Sequence, residues 1–147
     1  MVDKPEPDPR SIELVASLDD FTRSYLVTAL WSSNDESDES GGVPLDDNYE
    51  LDDLHPDVIA EAIADCQAFL AKCGTALCDG VLVRKPSSGS GPEEVAGHDF
   101  WLTRNGHGAG FWDGDWAGPL GDMLTKIAKG FGEVSLYVGD DGRIYSM

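Results

Sequence analysis

The sequence predicts an α+β fold: three helices packed on a small, mostly antiparallel sheet of two hairpins, with four to five strands. Three observations predict it. Apolar residues recur at steps of three and four in several segments, as one face of a helix requires. Shorter runs rich in aromatic and β-branched residues lie on either side of glycine-containing turns, as hairpins require. These signals follow one another as helix, helix, hairpin, helix, hairpin, an order that suits an antiparallel sheet with helices on it rather than a parallel α/β sheet.

Taken in order, residues 1–16 hold prolines among alternating charges and read as a disordered leader, leaving 17–147 as a single domain. The first helix starts near Ser17, with Asp19 and Asp20 in its first turn, where the helix dipole favours carboxylates. Leu18, Phe21, Tyr25 and Ala29 form its apolar stripe, and it ends near Trp31. An acidic loop spans 32–53. Its first part, SSNDESDESGG, has nothing to bury, whereas Leu45, Tyr49, Leu51 and Leu54 anchor an ordered approach to the next helix.

Pro56 suits the first position of that second helix. Ile59, Ala62, Ile63, Cys66, Phe69, Leu70, Cys73 and Leu77 give the clearest period in the chain, with Gly74 either ending the helix or overrun by it. Val81 to Val83 reads as a short strand and 85–96 as a linker. HDFWLTR then reads as a strand, with Phe100 and Leu102 on one face and Trp101 and Thr103 on the other. Asn105-Gly106-His107-Gly108 makes the reversal, and Ala109 to Trp112 the return strand. Pro119 opens a third helix with Leu120, Met123, Leu124 and Ile127 inward, closed at Gly132. Val134 to Val138, the GDDG turn and Arg143 to Tyr145 form the second hairpin.

Charge is the most informative feature. The formal net charge is −18, and between Arg23 and Lys72 twelve acidic residues occur without one lysine or arginine, ten of them between Asp35 and Asp57. Such a surface repels nucleic acid and anionic lipid, so direct nucleic-acid binding and membrane association are not expected; a partner protein with a basic surface is. No apolar run reaches the roughly 18 residues a membrane span needs. The absence of an apolar secretion signal and of any zinc-like cysteine spacing points to a reducing cytoplasm. The residues expected to meet the partner are Asp46, Asp47, Glu50, Asp52, Asp53 and Asp57, either as a solvated acidic loop or as an imitation of nucleic-acid phosphate spacing.

Catalytic signals are sparse. No GxSxG, Walker or Rossmann motif is present, and no HxH, HExxH or complete calcium loop. No cofactor and no metal are expected; any metal site would have to draw on His98, Asp113 and Asp115. Asp99, Arg104 and His107 are the grouped candidates for acid–base work. Cys66 and Cys73 read as buried structural thiols, because seven helical residues place them about 10 Å apart along the axis; Cys78 has no base beside it. Trp101, Phe111, Trp112 and Trp116 are read mainly as core, with Trp101 or Trp116, near Arg104, as an aromatic anchor for a partner.

FTRSYLVTALWSS, PLDDNYELDDL, AGHDFWLTRNGHGAGFWDGDW and FGEVSLYVGDDGRIY together resemble a small family of uncharacterised proteins encoded by bacteriophages and prophages, over roughly residues 18 to 145. The resemblance implies an accessory protein acting in the bacterial cytoplasm, and by analogy one that blocks a host nucleic-acid-handling or defence complex. The alternative reading is a small metal-dependent hydrolase centred on the 98–115 hairpin.

Overall fold

Asp8 and Asp19 each begin a helix by the same device. Their side chains accept the backbone N–H of Arg10 and of Thr22, both at 2.8 Å, satisfying donors that a helix N-terminus leaves without partners. The computed structural model describes residues 5–35, 42–73, 92–106, 111, 116 and 120–147. Among them the fold is α+β, with five α-helices and two small antiparallel two-stranded sheets. The helices are α1 (Pro9–Ala16), α2 (Asp20–Ser32), α3 (Pro56–Cys73), α4 (Pro92–Arg104) and α5 (Leu120–Lys129). Strands β1 (Asn34–Asp35) and β2 (Val43–Pro44) pair with each other, as do β3 (Leu136–Val138) and β4 (Ile144–Ser146). Two 3-10 turns, Leu45–Asp47 and Leu51–Asp53, lie between β2 and α3.

The expected second helix and second hairpin are present, and the first expected helix is present with its start moved from Ser17 to Asp20. Several finer expectations are corrected. The stretch 1–16, read as a disordered leader, contains α1, which Ser11 fastens by donating its hydroxyl to the Leu54 carbonyl at 2.7 Å. The acidic loop 32–53 is not one loop: β1, β2 and both 3-10 turns fall within it. The linker expected at 85–96 gives way to α4 from Pro92 onward. Met123, expected inward, is 41% exposed, whereas Leu124 is buried as expected and Ala128 is buried with it. The strand at Val81 to Val83, the fate of Gly74 and Leu77, and the opening role of Pro119 lie outside the described residues.

The largest correction concerns His98 to Arg104. They form the second half of α4 rather than a strand, so the first expected hairpin does not exist as predicted. The reason is burial on nearly every side, His98 alone in this segment being half-buried. Ala96, Gly97, Asp99 and every residue from Phe100 to Arg104 are buried. A helix enclosed all round has no polar face, so it shows no 3.6-residue hydropathy period. Gly97 lets α4 lie directly on α2; a Cβ there would overlap the Phe21 carbonyl oxygen and stand 3.1 Å from Ser24 Cβ. Ser24 joins the same crossing by donating to the Glu94 carbonyl at 2.6 Å.

Phe100 thereby enters the centre of an aromatic core. Its ring stacks on Phe69 at 4.3 Å between centroids and lies 5.2 Å from both Tyr25 and Phe131. Phe21 and Phe111 also stack on Phe69, at 5.7 and 5.6 Å. Aromatic pairs in such offset and edge-on arrangements add about 0.5–1.5 kcal/mol each beyond the area they bury. Cys66 and Cys73, as expected, are buried and free. Burial pushes the Cys66 thiol far above its usual range and the Cys73 thiol up to about 11, so both are neutral and poorly nucleophilic at neutral pH.

Candidate functional site

The residues expected to act fall into two groups, one inside the protein and one on its surface. Inside, α4 carries two buried polar centres. Asp99 is 2% exposed and uses both carboxylate oxygens: Oδ2 accepts Trp116 Nε1–H at 2.8 Å, and Oδ1 lies 2.9 Å from His98 Nδ1. With a carboxylate as acceptor, Nδ1 is the nitrogen that carries the proton. The His98 ring is half-buried and stacks on the exposed Trp31 at 5.8 Å. This arrangement orients an imidazole as a general base would need. Among the described residues, however, no group of three or more histidine, cysteine, aspartate or glutamate side chains is placed to hold a metal ion. Asp113, Asp115, His107, Trp112 and Cys78 lie outside the described residues.

Arg104 is the second centre. It was expected beside an exposed tryptophan, yet it is buried and ties four groups together. Its guanidinium donates to the Tyr25 hydroxyl at 3.0 Å, Asp65 Oδ2 at 2.9 Å, and the carbonyls of Phe131 and Gly132 at 3.1 and 2.8 Å. Those carbonyls follow α5, whose negative dipole end favours a cation. Gly132, at φ +77°, takes the left-handed conformation that turns the chain there. The guanidinium also lies over the rings of Phe100 and Phe131, at 5.5 and 5.7 Å. Burial raises the Tyr25 hydroxyl above its ordinary range, so it meets Arg104 in its neutral form. Arg104 is a structural fastener, and sequence reasoning missed it because a lone arginine after an aromatic run resembles a surface residue.

Trp101 and Trp116, offered as partner anchors, are only 3% and 4% exposed. Trp101 donates its indole N–H to Ser32 Oγ at 2.8 Å and meets Tyr25 edge-on. Trp116 meets Phe111 edge-on while bonding to Asp99. Both indole donors are satisfied internally, so neither ring is presented to a partner. The core reading of these aromatics is the one the geometry supports.

On the surface, Asp46, Asp47, Glu50 and Asp57 are exposed, and Asp52 is half-buried. They are held by ordered backbone. Leu45, Tyr49 and Leu54 are buried between them, and the Tyr49 N–H donates to the Leu45 carbonyl at 2.9 Å. Asp53 departs from expectation: it is buried, and its Oδ2 accepts the Glu50 N–H at 2.8 Å, closing the second 3-10 turn. Asp53 therefore fixes the ledge rather than facing a partner. His55 continues the ledge into α3, its Nδ1 accepting the Asp57 N–H at 3.1 Å, while its own N–H donates to the Ile144 carbonyl at 2.9 Å. The acidic ledge is thus joined to β4. Among the described residues no helix is long and apolar enough to cross a membrane. No family model, no curated protein and no solved structure matches this chain.

Proposed function

We propose that this chain is a bacteriophage accessory protein without enzymatic activity that binds a host complex through its acidic surface. The complex is one that handles nucleic acid or defends the cell, and the protein occupies its basic cleft in place of a polynucleotide. The observation that carries the reading is the ledge from Leu45 to Asp57, where exposed carboxylates stand on turns fastened by buried Leu45, Tyr49, Asp53 and Leu54. Carboxylates on a pre-ordered backbone reach a cationic cleft without the ordering entropy that a floppy acidic chain would lose. The formal charge of −18 adds long-range attraction toward such a cleft.

The test is replacement of Asp46, Asp47, Glu50 and Asp57 together by lysine, followed by capture from a bacterial host lysate at low and at raised salt. The parent chain is expected to retain a basic nucleic-acid-handling complex at about 50 mM salt and to release it by about 200 mM, as phosphate-like contacts do. The reversed chain is expected to retain none while keeping its helical circular dichroism. Equal capture by both chains would remove the charge argument. The hydrolase alternative draws its support from the His98–Asp99 pair alone.

A further inference from the structure

We propose that the β3–β4 hairpin carries an arginine-binding cleft, through which the protein grips one guanidinium of its cationic partner. The inference rests on the acidic-surface reading and adds to it a specific contact. Tyr137 and Tyr145 stand directly opposite each other in the strand register, with ring centroids 5.9 Å apart and planes inclined by 25°. Tyr145 in turn stacks on His55 at 4.9 Å, so three rings form one row that runs from the hairpin to the acidic ledge. Tyr137 heads the row and is 42% exposed. The two tyrosines, with Val138, Gly139, Asp140 and Asp141, line an open cleft of about 500 Å³.

A cross-strand tyrosine pair by itself stabilises a hairpin. It does not account for the rest of the cleft. Tyr145 donates its hydroxyl to Asp141 Oδ2 at 2.6 Å, and Asp141 Oδ1 accepts the Arg143 backbone N–H at 2.9 Å. These bonds, the tyrosine's foremost, hold the Asp141 carboxyl below its ordinary range and fix its orientation. Each carboxylate oxygen keeps a further lone pair for an incoming donor. Asp140 beside it is exposed. The Arg143 guanidinium shares the Asp141 carboxylate, its Nη1 forming an ion pair with Asp141 Oδ2 at 3.8 Å, and its Nη2 donates to the Glu6 carbonyl at 3.1 Å. Gly139 makes room for the arrangement, since a Cβ there would stand 2.5 Å from Tyr145 Cε2.

Aromatic rings beside oriented carboxylates are the chemistry that recognises a guanidinium. Its plane stacks on a ring while its N–H groups reach the carboxylates, a combination that the compact ammonium of lysine matches poorly. The charge of the whole chain favours a cationic occupant in the same sense.

Calorimetric titration of the full chain with hexa-arginine and hexa-lysine tests the proposal. The parent is expected to bind hexa-arginine several-fold more tightly than hexa-lysine. Tyr137→Ala is expected to weaken hexa-arginine about five- to tenfold and to erase the preference. Gly139→Ala, which drives the Tyr145 ring aside, is expected to do the same; both sites are at the hairpin surface, and circular dichroism checks that the fold survives. Equal affinity for the two peptides, or a Tyr137→Ala chain that keeps the preference, would overturn the cleft. Binding of an oligothymidylate that Tyr137→Ala abolishes would overturn it in favour of base stacking. The two readings fail separately: a parent chain without the preference, with lysine reversal still abolishing lysate capture, removes the cleft alone, whereas a parent preference that Tyr137→Ala erases, with capture unaffected by lysine reversal, removes the ledge alone.

Discussion

Arg104→Met is expected to lower the stability of this protein by about 3–4 kcal/mol, the range found when a buried charge-assisted network loses its central cation. Methionine fills a similar volume but donates nothing. The Tyr25 hydroxyl and the carbonyls of Phe131 and Gly132 would then lose the donor that joins them. Asp65 is partly exposed and can turn to water, so it contributes little to the loss. The remaining cost falls on the junction of α2, α4 and the end of α5. For a chain of this size the melting temperature should drop by about 10 °C. Arg104→Lys should recover only a fraction, because one ammonium cannot span four acceptors on different elements. Thermal unfolding followed by circular dichroism measures the effect, and a fall of less than about 2 °C would show that the network is not structural.

Gly97→Ala is the second large effect expected. At an open helix position this change stabilises by about 1 kcal/mol, since alanine is the better helix former. At Gly97 the sign reverses. The new methyl would overlap the Phe21 carbonyl oxygen, which belongs to helix backbone and cannot rotate away. Relief requires α2 and α4 to separate, and that loosens the contacts of Phe21 with Phe69 and Phe100 as well as the bond from Ser24 to Glu94. Overpacking of this kind costs about 1–3 kcal/mol, and more where backbone must move. The urea midpoint of Gly97→Ala should therefore fall. A midpoint at or above that of the parent would mean that the two helices are not in direct contact there.

These expectations could not have been read from the sequence, and the residues involved explain why. Helix α3 was legible because Ile59, Ala62, Cys66, Phe69 and Cys73 lie on one stripe beside exposed polar neighbours. The β3–β4 hairpin was legible because the glycine at φ +82°, Gly142, sits in a turn between two short apolar runs. Helix α4 offered no such contrast. Its Asp99, Thr103 and Arg104 are buried with partners on α2, α3, the chain after α5, Phe111 and Trp116. Sequence alone shows those polar residues without their partners, and an aromatic run ending in Thr-Arg then looks like a strand. The acidic ledge was legible in position but not in detail. Asp53 reads like Asp52 until the turn is built, and only then does it become the residue that holds the others. The tyrosine pair was hidden because Tyr137 and Tyr145 were read simply as strand residues.

The account holds that the working surface is the acidic ledge and the tyrosine hairpin, and that the tryptophan-rich segment is scaffold. Amide chemical-shift mapping of the full ¹⁵N-labelled chain during titration with hexa-arginine tests this most directly. The predicted result is movement of amides between Asp46 and Asp57 and between Tyr137 and Tyr145, with those from Gly97 to Asn105 unmoved. Shifts centred on Trp101, Phe111 and Trp116, with the ledge and hairpin silent, would contradict it.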